Sequence, residues 1–375
     1  MYNIHRASKR LKDFDSSIFQ DIFRKQQTLT NPIDLSIGLP EGSTPQYIKD
    51  AGIRAIQENH TTYTSANGIS QLRKAITEKL LHNNKVSVSE EDVTIVPGLT
   101  TGLLLTYLAI LDPGDEVMIM DPSYPSYHYL VPLAEATLKR VGTLPNFQLN
   151  FPAIESNISQ KTRIIIINSP NNPTGAIYPK EDLITLAKTA AKHDILIISD
   201  EMYESFVYEK EHFSIGSIYP NTLTMNGFSK AYAMTGWRLG YIAGPTEIIK
   251  AINQLQQYAV FSSSSIAQYA ALEALKQPTQ SRESYIKKRS LVINHLSEAG
   301  YDIQGSTGAY YTFFKAPHGQ TDIEFVNKAA DHNLLLLPGC AFSEEEAYVR
   351  LSYGGTIDDV QKGLDIITEI TKQAK

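Results

Sequence analysis

Between residues 90 and 245 the sequence returns again and again to one device, a short run of Ile, Val, Leu or Met followed at once by a polar or glycine-bearing cluster. "VTIV" (93–96) leads to "PGLTTG", "EVMIM" (116–120) to "DPSYPSY" and "RIIIIN" (163–168) to "SPNNPTG". "ILIIS" (195–199) leads to "DEMY", "TLTMN" (222–226) to "GFSK", and "LGYIA" (239–243) closes the series. Each run is too short for an ordinary helix and is apolar on consecutive residues, as strands buried on both faces of a parallel sheet are. The text between the runs is helical. "LTTGLLLTYLAIL" follows Gly98, and "EDLITLAKTAAKH" follows Pro179 with acids in its first turn. This alternation predicts an α/β architecture with a mostly parallel sheet flanked by helices.

The flanking text reads differently. Upstream, "ISQLRKAITEKLL" places Ile69, Leu72, Ile76 and Leu80 on one helical face. Downstream, helical text (248–300) gives way to "GAYYTFFK", which alternates like a half-buried strand, then to a helix near 322–332. The strand-like stretches "NLLLLPG" and "AYVRLSYG" follow, and "TIDDVQKGLDIITEI" closes the chain with Thr356 and Asp359 spaced as a capping box. A chain of 375 residues exceeds one ordinary core, so two domains are expected. The division expected is an N-terminal arm with part of a small domain (1–44), a large ligand-binding domain (45–270) and a small α+β C-terminal domain (271–375).

Composition narrows the function. A net charge of −6 with acids and bases interspersed argues against a nucleic-acid partner. No apolar run is long enough to span a bilayer, and the first residues lack the apolar core of a secretory signal. The one cysteine, Cys340, forbids an internal disulfide and a cysteine-based metal cluster. A cytoplasmic location and no metal are expected.

In an open α/β sheet ligands bind beyond the carboxyl ends of the strands, where the odd clusters fall. Gly98, Leu99 and Thr100 open a helix after a strand, which is either an ordinary helix start or an anion site made of backbone N–H groups and the helix dipole. Asp200 ends an apolar strand with Tyr203 three residues on. It is either a helix N-cap or a carboxylate kept for a buried cation. Asn172 sits in a Pro-flanked turn, as loop chemistry or as a fixed donor. Lys230, preceded by Ser229, is either a solvated lysine or an amine whose pKa is depressed by small and apolar neighbours, with Arg238 as a second cation. Arg350 lies among apolar strand residues, as a structural ion pair or as a planar fork for a carboxylate. A lysine amine, a buried carboxylate, an anion site and two arginines, without metal-ligand spacing, suit a Schiff-base lysine carrying pyridoxal phosphate.

At this point the chain resembles the class I/II pyridoxal-phosphate-dependent aminotransferases of fold type I, over essentially its whole length. The motifs occur in the family's order: "SIGLPEG", "YTSANGISQLRKAI", "PGLTTG", "DPSYPSY", "NNPTG", "DEMY", "SKAYAMTGWRLGY" and "VRLSYG". The resemblance is to the bacterial aspartate, aromatic and broad-specificity subgroup. It implies that Lys230 carries pyridoxal 5′-phosphate as a Schiff base and later moves a proton, and that Asp200 keeps the ring nitrogen protonated. Tyr203 and Asn172 bond the ring's phenolate oxygen, and Tyr124 stacks on the ring. Gly98, Leu99, Thr100, Ser229 and Arg238 belong to the phosphate end. Arg350, Gly38, Tyr124 and Asn172 face the substrate, with Arg350 clamping its α-carboxylate. Tyr63 reaches the neighbouring subunit's phosphate, which implies a homodimer with shared active sites.

Two departures stand out. Gly227 occupies a position where many members carry Ser or Thr as a phosphate ligand. The helix after Gly98 lacks a lysine that some aspartate-specific relatives use for a distal carboxylate, which favours an aromatic, apolar or broad amino donor. The expected reaction moves the amino group of an L-amino acid to a 2-oxo acid such as 2-oxoglutarate by ping-pong chemistry. A C–S β-lyase on the same fold is the alternative. A non-catalytic binding module of the kind fused to an N-terminal DNA-binding domain fits poorly, since about 30 residues precede "IDLSIGLP" and the lysine is intact.

Overall fold

The computed structural model describes residues 8, 11, 24, 28–209, 211–277, 282–317, 319–345 and 347–373. A short strand β1 (Ile33–Asp34) precedes helices α1 (Gln46–Gln57) and α2 (Ser70–Lys79). Strand β2 (Val93–Val96) turns into α3 (Leu99–Ile110), and β3 (Glu116–Asp121) into the short α4 (Pro125–Tyr129) and then β4 (Thr137–Gly142). Next come α5 (Phe151–Asn157), β5 (Thr162–Asn168), α6 (Lys180–Lys192) and β6 (Leu196–Asp200). β7 (Thr222–Gly227), β8 (Gly240–Ala243), α7 (Thr246–Ala259), α8 (Ser265–Ala274) and α9 (Arg282–Glu298) follow. The remainder is β9 (Tyr311–Lys315), α10 (Asp322–Asp331), β10 (Leu334–Leu335), β11 (Leu337–Pro338), β12 (Tyr348–Ser352) and α11 (Ile357–Lys372).

The central sheet has seven strands in the order β2-β8-β7-β6-β5-β3-β4. The pairings from β4 through β7 are parallel, and β8 runs against both its neighbours, so β2 again points with the rest. The consecutive apolar runs have a simple cause. In β5, Ile164 and Ile166 face one core with α3 residues such as Leu103 and Tyr107, while Ile165 and Ile167 face another with Leu183 and Leu186 of α6. All four isoleucines are at most 1% exposed, and each such burial contributes roughly 1.5–3 kcal/mol before entropy is charged against it.

Three sequence expectations change. The sixth run, "LGYIA", is a strand, but an antiparallel one, because it returns from β7 through a short connection instead of a helical crossover. Strand β4 was not anticipated: it is an edge strand with one fully buried residue, Val141, so "TLKRVG" has no apolar run to reveal it. The run "NLLLLPG" is two strands. Leu334 and Leu335 pair with β1, whereas Leu337 and Pro338 join the three-stranded antiparallel sheet β11-β12-β9. The helical text from 248 to 300 is likewise divided among α7, α8 and α9. Thr356 does cap α11, accepting from Asp359 N at 3.2 Å and donating to its carboxylate at 2.7 Å.

Candidate active site

Because β2, β3, β5, β6 and β7 run the same way, the clusters that follow them emerge at one edge of the sheet. There they enclose a cavity of about 310 Å³, closed on the far side by residues 36–39 and by Tyr311, Leu337, Phe342 and Arg350. Of the residues singled out from sequence, Gly38, Leu99, Thr100, Tyr124, Asn172, Asp200, Tyr203, Ser229, Lys230, Arg238 and Arg350 line it. Gly98 lies just behind, against Arg238. Tyr63 stands apart: it is 81% exposed and packs on Phe261 with ring centres 4.5 Å apart.

Lys230 follows β7, and its Nζ donates to the Gly38 carbonyl at 2.6 Å. Burial chiefly, then the charges of Arg350 and Arg238, bring its pKa down to about 8, with Asp200 opposing. A neutral amine is thus reached close to physiological pH. Asp200 ends β6. No helix follows directly, which disposes of the N-cap reading; its carboxylate instead accepts from Met202 N at 3.0 Å and from the Tyr127 hydroxyl at 2.6 Å. Burial pushes its pKa up to about 6, with the Glu201 charge adding to the rise, against those two bonds and the Lys230 charge. The Asn168 amide holds the same turn by donating to Asp200 O at 2.9 Å and accepting from Asn172 N at 2.7 Å.

Behind this turn lies a buried charge network. Glu201 accepts from Ser199, Ser214 and Asn84, and pairs with His212 at 2.9 Å. Glu204 pairs with Lys79 and accepts from Asn84 at 2.7 Å. Glu201, Glu204 and His212 are close enough to offer a metal three ligands, yet Lys79, Asn84 and the two serines already engage the carboxylates. The group reads as an ion-pair network that fixes the chain on either side of Met202.

The anion end is made by the start of α3. Gly98, the residue before the helix, has φ +85° and gives it no side-chain cap. A Cβ on it would stand 2.5 Å from Arg238 Nη2. The guanidinium therefore lies directly over a helix N-terminus whose dipole favours negative charge. Thr100 and Tyr124 bring their hydroxyls to 3.5 Å of each other at the same end. Gly227 also gains a reason. It pairs with Gly240 across β7 and β8, and a Cβ would meet Gly240 Cα at 2.9 Å and Leu239 O at 3.0 Å. A hydroxyl-bearing side chain has no room there.

The opposite end is built on Arg350. Its guanidinium is sandwiched between the rings of Tyr311 and Phe342, 4.6 and 4.7 Å from their centres. Nη1 donates to Asn172 Oδ1 at 2.8 Å and Nη2 to the Ser36 carbonyl, while the buried Nε has no partner among the described residues. Tyr311 also meets the Tyr203 hydroxyl at 2.8 Å, and its own hydroxyl occupies the space a Cβ on Gly38 would need.

Sequence reading did not pick out Tyr127, Asn168, Tyr311 or Phe342. Tyr127 lies in the quoted "DPSYPSY" and Asn168 ends a quoted run, so adjacency to the motifs was their signal. Tyr311 and Phe342 sit in ordinary small-domain text: Tyr311 reaches the site through the pairing of β9 with β12, and Phe342 through the loop that follows β11. The donor set fits pyridoxal 5′-phosphate: a helix N-terminus under an arginine for the phosphate, a buried carboxylate wanting a cation for the ring nitrogen, and a low-pKa amine between them.

Comparison with known proteins agrees with this geometry. The profile of the family described as aminotransferase class I and II matches residues 30–367. A probable aspartate aminotransferase of Methanocaldococcus jannaschii is 35% identical over 374 residues, covering 97% of this chain and 99% of that one. Aromatic-amino-acid aminotransferase 2 of Thermococcus litoralis is 34% identical, covering 98% and 99%. The solved structure of the aspartate aminotransferase from Thermus thermophilus with maleate superposes with a TM-score of 0.93 at 34% identity, covering 99% and 100%.

Proposed function

The chain belongs to the aminotransferase class I and II family and is a pyridoxal-phosphate-dependent transaminase, and on that premise we propose how its own residues divide the work and which substrates they take. When bound, pyridoxal 5′-phosphate supplies an electron-withdrawing ring that stabilises negative charge at the substrate's Cα. Arg238, Ser229, Thr100 and the N–H groups after Gly98 hold its phosphate. Asp200 holds a proton at the ring nitrogen, supported by Tyr127 and by the Met202 N–H. Tyr203 and Asn172 hold the ring oxygen, and Tyr124 covers a ring face. Arg350 takes the α-carboxylate of the amino acid, with Gly38 beside it. The Lys230 amine, its pKa lowered to about 8, would take the proton from the substrate's Cα and deliver it to the cofactor's C4′ carbon.

The observation that carries the substrate reading is the cavity's lining. Its cations are Lys230, Arg238 and Arg350, and its remaining walls include Ile37, Leu39, Leu99, Leu103, Leu337 and Phe342. The first three serve the cofactor and the α-carboxylate, so the described residues of this chain give a side-chain carboxylate no cation. We therefore assign an aromatic, apolar or broad L-amino acid as donor and a 2-oxo acid such as 2-oxoglutarate as acceptor. A homodimer is part of the proposal: Tyr63, Tyr258 and Phe261 are 81%, 85% and 49% exposed on one chain, far more aromatic surface than a lone subunit gains by showing. The grouping of the N-terminal arm (1–44) with the C-terminal part is supported by the pairing of β1 with β10, whereas residue 270 falls within α8. A cytoplasmic location is part of the proposal; the one support for it is a single cysteine, which leaves the chain no internal disulfide to keep oxidised. No described helix is long and apolar enough to cross a membrane.

The test is a panel of L-amino acids with 2-oxoglutarate and with pyruvate as acceptors, read as new 2-oxo acid. Phenylalanine, tyrosine, leucine and methionine are expected to exceed aspartate in kcat/KM. Aspartate leading by tenfold or more, about 1.4 kcal/mol, would place a cation in the pocket that this chain's lining lacks. Pyruvate and thiol released from cystathionine without an acceptor would mark the lyase.

A further inference from the structure

Phe342 forms one half of the aromatic sandwich around Arg350, yet it lies on a loop (339–345) outside any strand. What holds that loop comes from the central sheet. Ser123 N donates to Phe342 O at 2.9 Å, one residue before the pocket's Tyr124. Glu344 N donates to Asp121 Oδ2 at 3.3 Å, and Ser343 bonds the same carboxylate. Arg140, on edge strand β4, reaches across: its Nε lies 3.0 Å from Glu344 Oε1 and its Nη1 3.7 Å from Asp121 Oδ2. Asp121 and Arg140 lie diagonally on adjacent strands, opposite Gly142 and Ile119 respectively, their side chains 8% and 18% exposed, whereas Glu344 is 75% exposed. None of these residues lines the cavity.

We propose that Asp121 and Arg140 are positioning residues that form a latch, holding the Phe342 wall so that the Arg350 guanidinium faces the substrate carboxylate. The physical case has three parts. First, the loop has two anchors: Ala341 and Phe342 pack with Phe147, Ala176, Phe313 and Leu337 on its apolar side, while its ties to the central sheet at Ser123, Asp121 and Arg140 are polar, so the charges adjust how the Phe342 ring sits against Arg350. Second, the pair is largely buried and lies beyond ideal hydrogen-bond contact; Asp121 Oδ1 and Arg140 Nη1 lack hydrogen-bond partners among the described residues. Removing Arg140 takes the only cation among the described residues from the buried Asp121 carboxylate, which keeps just the Glu344 N–H and Ser343, and takes the partner from Glu344, so the loop that carries these groups is driven to shift. Third, the part free to move is the loop, because β3 and β4 are fixed by six paired residues each. Displacing it strips one ring from the Arg350 sandwich and loosens the clamp, while leaving Lys230, Asp200 and the phosphate end untouched.

The proposal rests on Arg350 as the carboxylate clamp, so the test is chosen to separate the two. The holoenzyme is titrated with 3-phenylpropionate, an unreactive carboxylate, by calorimetry, and KM and kcat are measured for an active donor from the panel. Arg140→Met is expected to weaken 3-phenylpropionate binding on the order of tenfold and to raise KM in parallel. Its kcat should stay within about twofold, with cofactor affinity unchanged, the signature of a lost uniform binding term. Arg140→Lys keeps the charge and is expected to recover most of the binding. Glu344→Gln removes only the exposed arm, on a side chain 75% exposed, and is expected to weaken binding about two- to threefold at low salt, fading as salt is added. Unchanged 3-phenylpropionate affinity in Glu344→Gln and in folded Arg140→Met overturns the latch, as does a fall in kcat with affinity intact. If Arg350→Ala itself leaves 3-phenylpropionate binding unaltered, the clamp assignment fails instead.

Discussion

At the scale of single residues the informative group is Lys230. Lysine is ordinarily a surface residue, and what changes its chemistry is the company brought by other strand ends. Arg350 and Arg238 repel its charge and burial removes its water, so the folded-state pKa of about 8 lies below the ordinary value of 10.5. The sign of the linkage follows. Burying the charged amine penalises folding of the apoprotein fully below about pH 8, and the penalty is relieved as pH rises from 8 toward 10.5. Asp200 acts in the other sense: its penalty appears as pH rises from 3.8 through about 6 and stays above that. In the apoprotein, acylation of Lys230 followed by peptide mapping is expected to have a pH midpoint near 8. Exposed Lys250, whose pair with Glu247 holds its pKa above the ordinary value, should react only at higher pH. A Lys230 midpoint no lower than that of Lys250 would contradict the enclosed amine.

At the scale of elements the site depends on how α3 begins. Gly98 has φ +85° and ψ 151°, a conformation essentially only glycine adopts, with Arg238 where its Cβ would be, so Gly98→Ala combines backbone strain of about 1–3 kcal/mol with displacement of the cation proposed to hold the phosphate. The expected result is a cofactor dissociation constant raised on the order of ten- to a hundredfold, read by fluorescence titration of the apoprotein, with little change in thermal stability of the apoprotein itself. Undiminished affinity would remove the anion site from the start of α3. The strands flanking this helix were legible because both their faces are buried, which forces consecutive apolar residues. Strand β4 was not, since an edge strand under partial cover needs no such pattern. Gly227 shows the reverse limit: sequence marked it as a missing ligand, and only the closeness of β8 explains why a glycine stands there.

At the scale of the whole molecule, the exposed aromatics Tyr63, Tyr258 and Phe261 bear on assembly. Sedimentation equilibrium is expected to give twice the chain's mass at micromolar concentration. If Tyr63 serves the neighbouring subunit's phosphate, mixing inactive Lys230→Ala subunits with Tyr63→Ala subunits of weakened cofactor affinity yields hybrids. Each hybrid contains one site with both native residues and one with neither, so cofactor affinity at the active site should return to the wild-type value. A monomer, or hybrids no better than the Tyr63→Ala parent, would count against shared sites.

The sequence by itself determined the alternation of buried strands and helices, the edge of the sheet where ligands gather, and the motif residues Gly98, Asn172, Asp200, Lys230 and Arg350. It could do so because strand direction and burial are local pressures that leave a local record. Only the tertiary structure decided that β8 runs backwards, that Tyr127 braces Asp200, that Tyr311 and Phe342 enclose Arg350, and that Arg140 reaches Glu344. The Tyr127–Asp200 and Arg140–Glu344 contacts join residues 73 and 204 positions apart, and Tyr311 meets Arg350 through the pairing of β9 with β12. Nothing in a residue's immediate neighbours has to change for such a contact to form, so the sequence around it carries no mark.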